Sequence, residues 1–534
     1  MLVLVLAFGC AGSSGGGGGG DVADFVLNLQ PIVAERNQAD LFDELDKIDL
    51  VLDPRLGEPR RVELVGWESG SAEITDLPAL DETSIVVEGY LGGQLAIWGR
   101  TEPFTADTGE VEAQVFVAEN DAAAWFESLP EGLWRPVLAA LGDGQFLLAG
   151  GLANDRAGAV GKGQDVIYEL TLAPPVLSFE EIGTLPTYLN GGAGEQTNRF
   201  GATFTPLTVS GTDEGKVLLV GGSDRHPYID DSTGVSQAVS LFDPSTGEWE
   251  ELGDAKALST PRALHVAVEN SQGNVVVWGG WVYQGTANAI GWANTVEVYD
   301  RANQSFAVVG TATVGELDAA VADLGTDGTL LCGGITSSTY GDRGTGPVTP
   351  VSTCVTVSPD GSEIDDSVRE LPKPLAAHGM ATLDDGRVLL AGGVTADSVT
   401  WASQDYLPAI DNAYVYDPRS GEWAAVGNLK VARAGHRMAR LPDGRVLVAG
   451  GATNYHPVYG TNDAVSCLEV FDPATASFTS IDACTANDEA GGLPGPSFQP
   501  ELVVDPVRGA LVVGGLDSSR SAQSSVSVFV SASE

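Results

Sequence analysis

Residues 433–451 read RAGHRMARLPDGRVLVAGG, and the second half of that stretch returns, altered but recognisable, down most of the chain. Residues 436–441 alternate like a strand, Pro442-Asp443-Gly444 is a tight turn, and 445–449 is a second strand rich in valine and leucine. That strand ends on Gly450-Gly451. A glycine doublet supplies φ > 0 where the chain turns sharply, and leaves room for another backbone where a Cβ would clash. Similar doublets end apolar runs at Gly150-Gly151, Gly221-Gly222, Gly279-Gly280, Gly333-Gly334, Gly392-Gly393 and Gly514-Gly515, so seven copies follow one another at spacings of 71, 58, 54, 59, 58 and 64 residues.

A second landmark keeps step with the first. Phe242-Asp243, Tyr299-Asp300, Tyr416-Asp417 and Phe471-Asp472 each follow a doublet, and six residues beyond each Asp stands Trp249, Phe306, Trp423 or Phe478. The intervening DPSTGE and DPRSGE are hairpin turns, with Pro preset for the second turn position and Gly for φ > 0. Each copy therefore reads as four antiparallel strands, a to d: the strand of the 436–441 type, the doublet strand, the aromatic-Asp strand and the Trp strand. On these residues the chain resembles the kelch repeat family, over about residues 123 to 530. The resemblance implies an all-β fold, a β-propeller with one repeat per blade, and says little about function, because kelch propellers include binding scaffolds as well as enzymes.

The ends of the repeat region predict how the ring closes. The last copy has its doublet at Gly514 and a third strand at 525–530, then no Trp-type strand; residues 124–129, AWFESL, look like a Trp-type strand standing alone before the first doublet. That N-terminal strand can complete the last blade and remove the exposed sheet edges, giving seven blades over residues 121–534. Ile97-Trp98-Gly99-Arg100 reads alternatively as a decayed doublet strand, which would make an eighth. Within residues 21–120, strand-like runs at 24–29, 47–52, 61–66, 71–75, 83–90, 94–100 and 111–118 predict a small immunoglobulin-like β-sandwich, with 39–47 a possible helix.

Residues 1–10, MLVLVLAFGC, followed by AGSSGGGGGG at 11–20, resemble a bacterial lipoprotein signal and a flexible tether, which implies lipidation at Cys10, export to the cell envelope and a membrane attachment through that anchor alone. The run lacks a basic n-region and has Ala7 where that motif usually has Leu; it is too short to be a transmembrane helix. Against 73 Asp and Glu stand 27 Lys and Arg, six of them Lys, for a formal net charge of −46. Such a surface repels DNA, RNA and anionic membranes, so nucleic acid is excluded as a partner. Cys332 with Cys354 and Cys467 with Cys484 fall in pairs on neighbouring strands of single repeats, spacings that permit disulfides; four buried free thiols are the other reading. No zinc-type Cys/His spacing is present.

Strand directions place the a–b and c–d turns on one end of the ring and the b–c and d–a connections on the other. The b–c loops are long, so their face is expected to bind, and a protein or glycan is the expected partner. The candidate contact residues on it are His226, Tyr228, Trp281, Tyr283, Trp292, Tyr340, Trp401, Tyr406, Tyr455, His456 and Tyr459; aromatics among polar neighbours grip sugars or protein hot spots, or else pack the loops together. His265, His378 and His436 each stand 14 residues before a doublet, a register that predicts a structural side chain between blades. Galactose oxidase, a seven-bladed kelch-like propeller, implies a copper centre with two His and two Tyr ligands, one Tyr crosslinked to Cys. His226 and His456 lie on the right kind of loop, but no segment reproduces that ligand motif. No catalytic residue, metal or cofactor is therefore expected, and copper-dependent oxidation stays as the alternative to a binding scaffold.

Overall fold

Every doublet strand is the second strand of a four-stranded antiparallel sheet. The computed structural model describes residues 2–8, 23–31, 45–54, 59–64, 80–101, 104–106 and 111–531, with 121, 126–127, 143, 155–159, 174–175, 191–193, 197, 225–233, 284–289, 316, 338–346, 396–398, 401–404, 457–459, 482–491 and 506–508 excepted. Among these residues seven such sheets follow one another. Their inner strands are Val137–Gly142, Thr203–Pro206, Val266–Glu269, Ala320–Asp323, Gly379–Thr382, Arg437–Arg440 and Glu501–Asp505, in blades numbered 1 to 7. Each inner strand contacts the next, and the seventh contacts the first. The closure is the one expected: blade 7 consists of Glu501–Asp505, Gly509–Val513, Val526–Val530 and, outermost, Ala122–Trp125 from the far end of the chain.

Six of the seven doublet strands are buried along their whole length, as in Val217–Val220, Val388–Ala391 and Val446–Ala449, and in the seventh only Gln145 is exposed. A strand covered on both faces needs an unbroken apolar run rather than alternation, which is what these stretches have. The cores lie between blades. Leu389, Ala391 and Val415 of blade 5 pack with Val446, Val448 and Phe471 of blade 6, and an equivalent cluster fills each of the other seams. At about 1.5–3 kcal/mol for each large aliphatic side chain fully buried, these seams dominate the favourable side of folding.

The spacing between aromatic and Trp residues is cross-strand register. Phe242 lies opposite Trp249, Tyr299 opposite Phe306, Tyr416 opposite Trp423 and Phe471 opposite Phe478, with ring centroids 4.9–5.4 Å apart. The Asp that follows each aromatic closes the turn between them. Asp243, Asp300, Asp417 and Asp472 each accept a hydrogen bond, 2.8–2.9 Å long, from the backbone N–H two residues on.

The doublets do both things expected of them. Gly392 and Gly393 have φ of 64° and 95°, a Cβ on Gly392 would lie 2.4 Å from the Arg433 carbonyl oxygen of the next blade, and the Gly393 N–H donates to that same oxygen at 2.8 Å. The same bond from a second glycine to the following blade is made by Gly222, Gly334 and Gly451, and by Gly515, which reaches from blade 7 to Leu133 before blade 1. Cys332 and Cys354 face each other on adjacent strands of blade 4 and are disulfide-bonded. Cys467 is also in a disulfide, while Cys484 lies outside the described residues.

Ahead of the ring lies an eight-stranded sheet, seven of whose strands follow one hydrogen-bonded path in the order Leu2–Phe8, Ala23–Pro31, Val111–Glu119, Gln94–Arg100, Leu80–Leu91, Lys47–Pro54, Arg60–Leu64, while the eighth, Phe104–Ala106, pairs off Leu80–Leu91. Ala23–Pro31 runs parallel to Val111–Glu119, the other pairings being antiparallel. Ile97 to Arg100 belong to this sheet, so they form no eighth blade. The expected strand at 71–75, most of the possible helix at 39–47, and Cys10 with the tether lie outside the described residues. Val86 and Trp98 of this sheet are buried in the same cluster as Leu148 of blade 1 and Val513 and Val528 of blade 7, so the leading sheet rests on the seam where the ring closes.

Candidate functional site at the axis of the ring

Four residues precede each inner strand, and each of the four positions has its own task. The second bridges to the residue after the doublet of its own blade: Trp134 with Leu152, Phe200 with Ser223, Ala263 with Trp281, Leu317 with Ile335, Ala376 with Val394, Ala434 with Ala452 and Phe498 with Leu516. These pairs are the frame of a second buried layer, beneath the b–c loops.

The fourth position carries the three repeated histidines. Cβ atoms on Gly392 and on Gly451 would meet the His436 imidazole and its Cβ, at 2.8 and 3.0 Å, so the side chain sits between the doublet of blade 5 and that of its own blade 6; His265 and His378 have the same setting. His265 Nε2 is 3.0 Å from the Thr203 hydroxyl across the seam of blades 2 and 3. Burial holds His378 neutral, its pKa brought down to about 3; burial and then the charge of Arg262 do the same to His265, and His436 is depressed likewise. Their expected structural role fits this geometry.

The first position carries arginines that the sequence reading passed over. Arg262 and Arg433 are fully buried, donate to the carbonyls of Gly279 and Gly450, and pair with the equally buried Glu297 and Glu469 at 2.5 and 2.6 Å. A signal was present: in both repeats an Arg stands three residues before the His, and a Glu interrupts an apolar strand three residues before the aromatic-Asp aspartate. Burial lowers both guanidinium pKa values and the glutamates oppose it.

The third position is left-handed in all seven blades: Arg135, Gly201, Leu264, Asp318, Ala377, Gly435 and Gln499, with φ between 48° and 64°. Four of the steps around the ring are closed by backbone hydrogen bonds, from Leu264 to Gly201, Ala377 to Asp318, Gly435 to Ala377 and Gln499 to Gly435. Glycine is the residue best suited to this conformation, yet five of the seven positions carry a side chain, and three of those are polar. They meet. Arg135 of blade 1 reaches Asp318 of blade 4 at 3.1 Å and the Gln499 amide oxygen at 2.9 Å; the Trp134 indole donates to that same oxygen, and the Tyr455 hydroxyl to Asp318. A cavity of about 20 Å³, room for about one water, is lined by these groups with Phe200, Phe498 and His456. Below lies a larger one of about 150 Å³ among the inner strands, lined by Arg135, Thr203, Phe204, His265, Arg437 and Glu501, so Arg135 divides two spaces.

The candidate contact residues divide differently. Trp281 and Trp292 are buried and stacked on each other at 5.1 Å, and Tyr455 and His456 are buried, His456 against the half-buried Tyr406 ring. Their surfaces are spent on packing the loops, the second of the two expectations stated for them, and of the four only Tyr455 and His456 also border the axial cavity. His226, Tyr228, Tyr340, Trp401 and Tyr459, with the Tyr283 side chain, lie outside the described residues. Sequence periodicity could not find Arg135, Asp318 and Gln499, because each departs from its repeat.

No family model matches the chain, and neither does any curated protein. Solved structures do. A fungal alcohol oxidase of the AA5 family, solved in complex with copper, covers 77% of this chain and 77% of its own, with TM-score 0.50 and 17% identity. What the two chains share is the β-propeller fold. A protein named YjhT covers 67% of this chain and 99% of its own at 15% identity, with TM-score 0.43. At these identities the likeness concerns fold alone.

Proposed function

We propose that this chain is a binding scaffold, exported and held at the cell envelope through a lipid on Cys10, that presents its b–c loop face to a protein or glycan. The observation that supports it is the asymmetry of the two ends of the ring. The a–b and c–d turns are mostly short, as between Leu383 and Arg387 or Asp417 and Glu422, whereas the b–c connections run from Val220 to Val239 or from Ala391 to Ala413. Those connections are also built into sheets that join blades. Ile335–Ser337, Pro347–Pro350 and Val399–Thr400 link blades 4 and 5, and Leu407–Pro408 with Asn454–Tyr455 links blades 5 and 6. A stiffened platform loses less entropy on binding than free loops do.

A glycan array and a cross-linking screen on envelope preparations, both with the chain from residue 21, test this reading. Tyr406→Ala or Trp401→Ala should weaken capture at least tenfold, and Arg419→Ala on the opposite end should not. Capture lost only with the turn-end change would overturn the assignment.

A copper oxidase is the second reading, favoured by the fold of the AA5 enzyme. The described residues do not fit that metal. Three of the five histidines are seam side chains, the Tyr455 hydroxyl is taken by Asp318, and the axis carries the Arg135 guanidinium, a fixed positive charge that opposes a metal ion there. Among the described residues no three His, Cys, Asp or Glu side chains stand together as a ligand set. Stoichiometric copper surviving dialysis, and lost on His226→Ala or His456→Ala, would reverse this judgement.

A further inference from the structure

We propose that the larger axial cavity is a binding site for a small carboxylate, held by Arg135 and Arg437. The cavity measures about 150 Å³, many times the roughly 10–15 Å³ that one water needs by the same measure, enough for a ligand of two to four carbons with one or two carboxyl groups. Its wall is made of two kinds of surface. Val137, Phe204 and Leu264 are apolar, and Arg135 and Arg437 present donors.

The donors are in excess. A guanidinium has five N–H groups and no acceptor. Among the described residues Arg135 uses Nε and Nη2, towards Gln499 and Asp318, and Arg437 uses Nη2, towards Glu501 at 2.8 Å. Arg437 lies on an inner strand within the ring yet keeps 38% of its side-chain surface accessible, because it borders this cavity. Two guanidiniums with unspent N–H groups favour a planar, bidentate oxyanion, and a carboxylate matches the fork geometry. Glu501 is the one acid in this wall and is held by Arg437, while Asp318 holds Arg135 from the side of the smaller cavity and the buried His265 is neutral, so two guanidiniums face one carboxylate before the ligand enters. A divalent cation or an amine would find no carboxylate to itself.

The backbone supports the assignment independently. Arg135 occupies a left-handed position, φ 48°, where glycine is the residue under least strain, and uses it to hold its guanidinium at the boundary of both axial spaces.

The test is isothermal titration of the whole chain with acetate, malonate, inorganic phosphate and chloride at constant ionic strength. Saturable binding of malonate or acetate, at least tenfold tighter than chloride, is expected. Arg437→Gln should weaken it at least tenfold. Glu501→Gln, which releases Arg437 from its partner, should strengthen it several-fold, an effect that neither misfolding nor a general salt effect produces. No saturable carboxylate binding by the wild type would overturn the proposal, as would binding unmoved by Arg437→Gln in a protein whose melting transition is intact. Binding of phosphate without carboxylate would overturn the ligand class. None of these outcomes depends on the loop-face reading, whose captures are scored separately.

Discussion

The third and fourth residues of the segment before each inner strand are chain neighbours with opposite characters. The fourth is His265, His378 or His436 in three blades, always wedged between the same two doublets. The third is Arg135, Asp318 or Gln499 in three others, all turned to one axial contact that no other blade repeats. A side chain that recurs with the period serves the seams, which are alike; one that breaks the period serves the axis, where seven blades meet once. Recurrence therefore separates what holds this ring together from what the ring presents.

The seam side of that comparison breaks most visibly with pH. A histidine whose folded pKa is depressed contributes its full stability above the unfolded value, about 6.5, and loses it as the pH falls from there towards about 3, because the unfolded chain takes up the proton first. Each loses up to about 1.4 kcal/mol per pH unit, so the three together cost about 4 kcal/mol per unit. Urea midpoints measured from pH 7 to pH 4.5 should fall steeply, and His378→Gln should remove about a third of the slope. A flat profile would mean that the seams open to water without unfolding.

Next in size are the buried pairs. Arg433→Met alone, or Glu469→Leu alone, leaves one charge without its partner at 0% exposure and should cost about 3–5 kcal/mol by chemical denaturation. The double change should cost less than either single one. At the axis the same operation is milder. Arg135 and Asp318 retain 15% and 8% accessibility beside the axial cavity, so Asp318→Asn should cost only about 1–2 kcal/mol. Equal losses at Glu469 and Asp318 would erase the distinction between seam and axis.

How much of this could be read in advance follows the same division. The doublets, the aromatic-Asp register and the closing strand were legible because each repeats or complements a repeat, and the structure adds only a shift of the closing strand to Ala122–Trp125. The Cys332–Cys354 pairing was legible from strand register. Trp281 and Trp292 were not, because a loop aromatic has the same sequence whether it meets a ligand or another indole, and here the stacking is decided by the register of a hairpin within one b–c loop. Arg135 and Asp318 stand 183 residues apart, and only the closed ring brings them together.

The finest test compares two neighbours within the left-handed ring, Ala377 and Gly435, joined by a 2.8 Å backbone bond. An L-residue held in this conformation carries about 1–2 kcal/mol of strain, which Ala377→Gly releases. The change also removes a buried methyl, about 0.8 kcal/mol, and loosens the unfolded chain by about 0.4–1 kcal/mol. These terms nearly cancel, so the urea midpoint should move by no more than about 0.5 kcal/mol either way. Gly435→Ala has no such balance, because its Cβ would sit 2.3 Å from the Phe498 ring in addition to the strain, and about 2 kcal/mol or more should be lost. If Ala377→Gly also lost 2 kcal/mol, the ring would not be strained at its substituted positions. Arg135, Asp318 and Gln499 would then stand there at no conformational cost, and their departure from glycine would cease to point to a function.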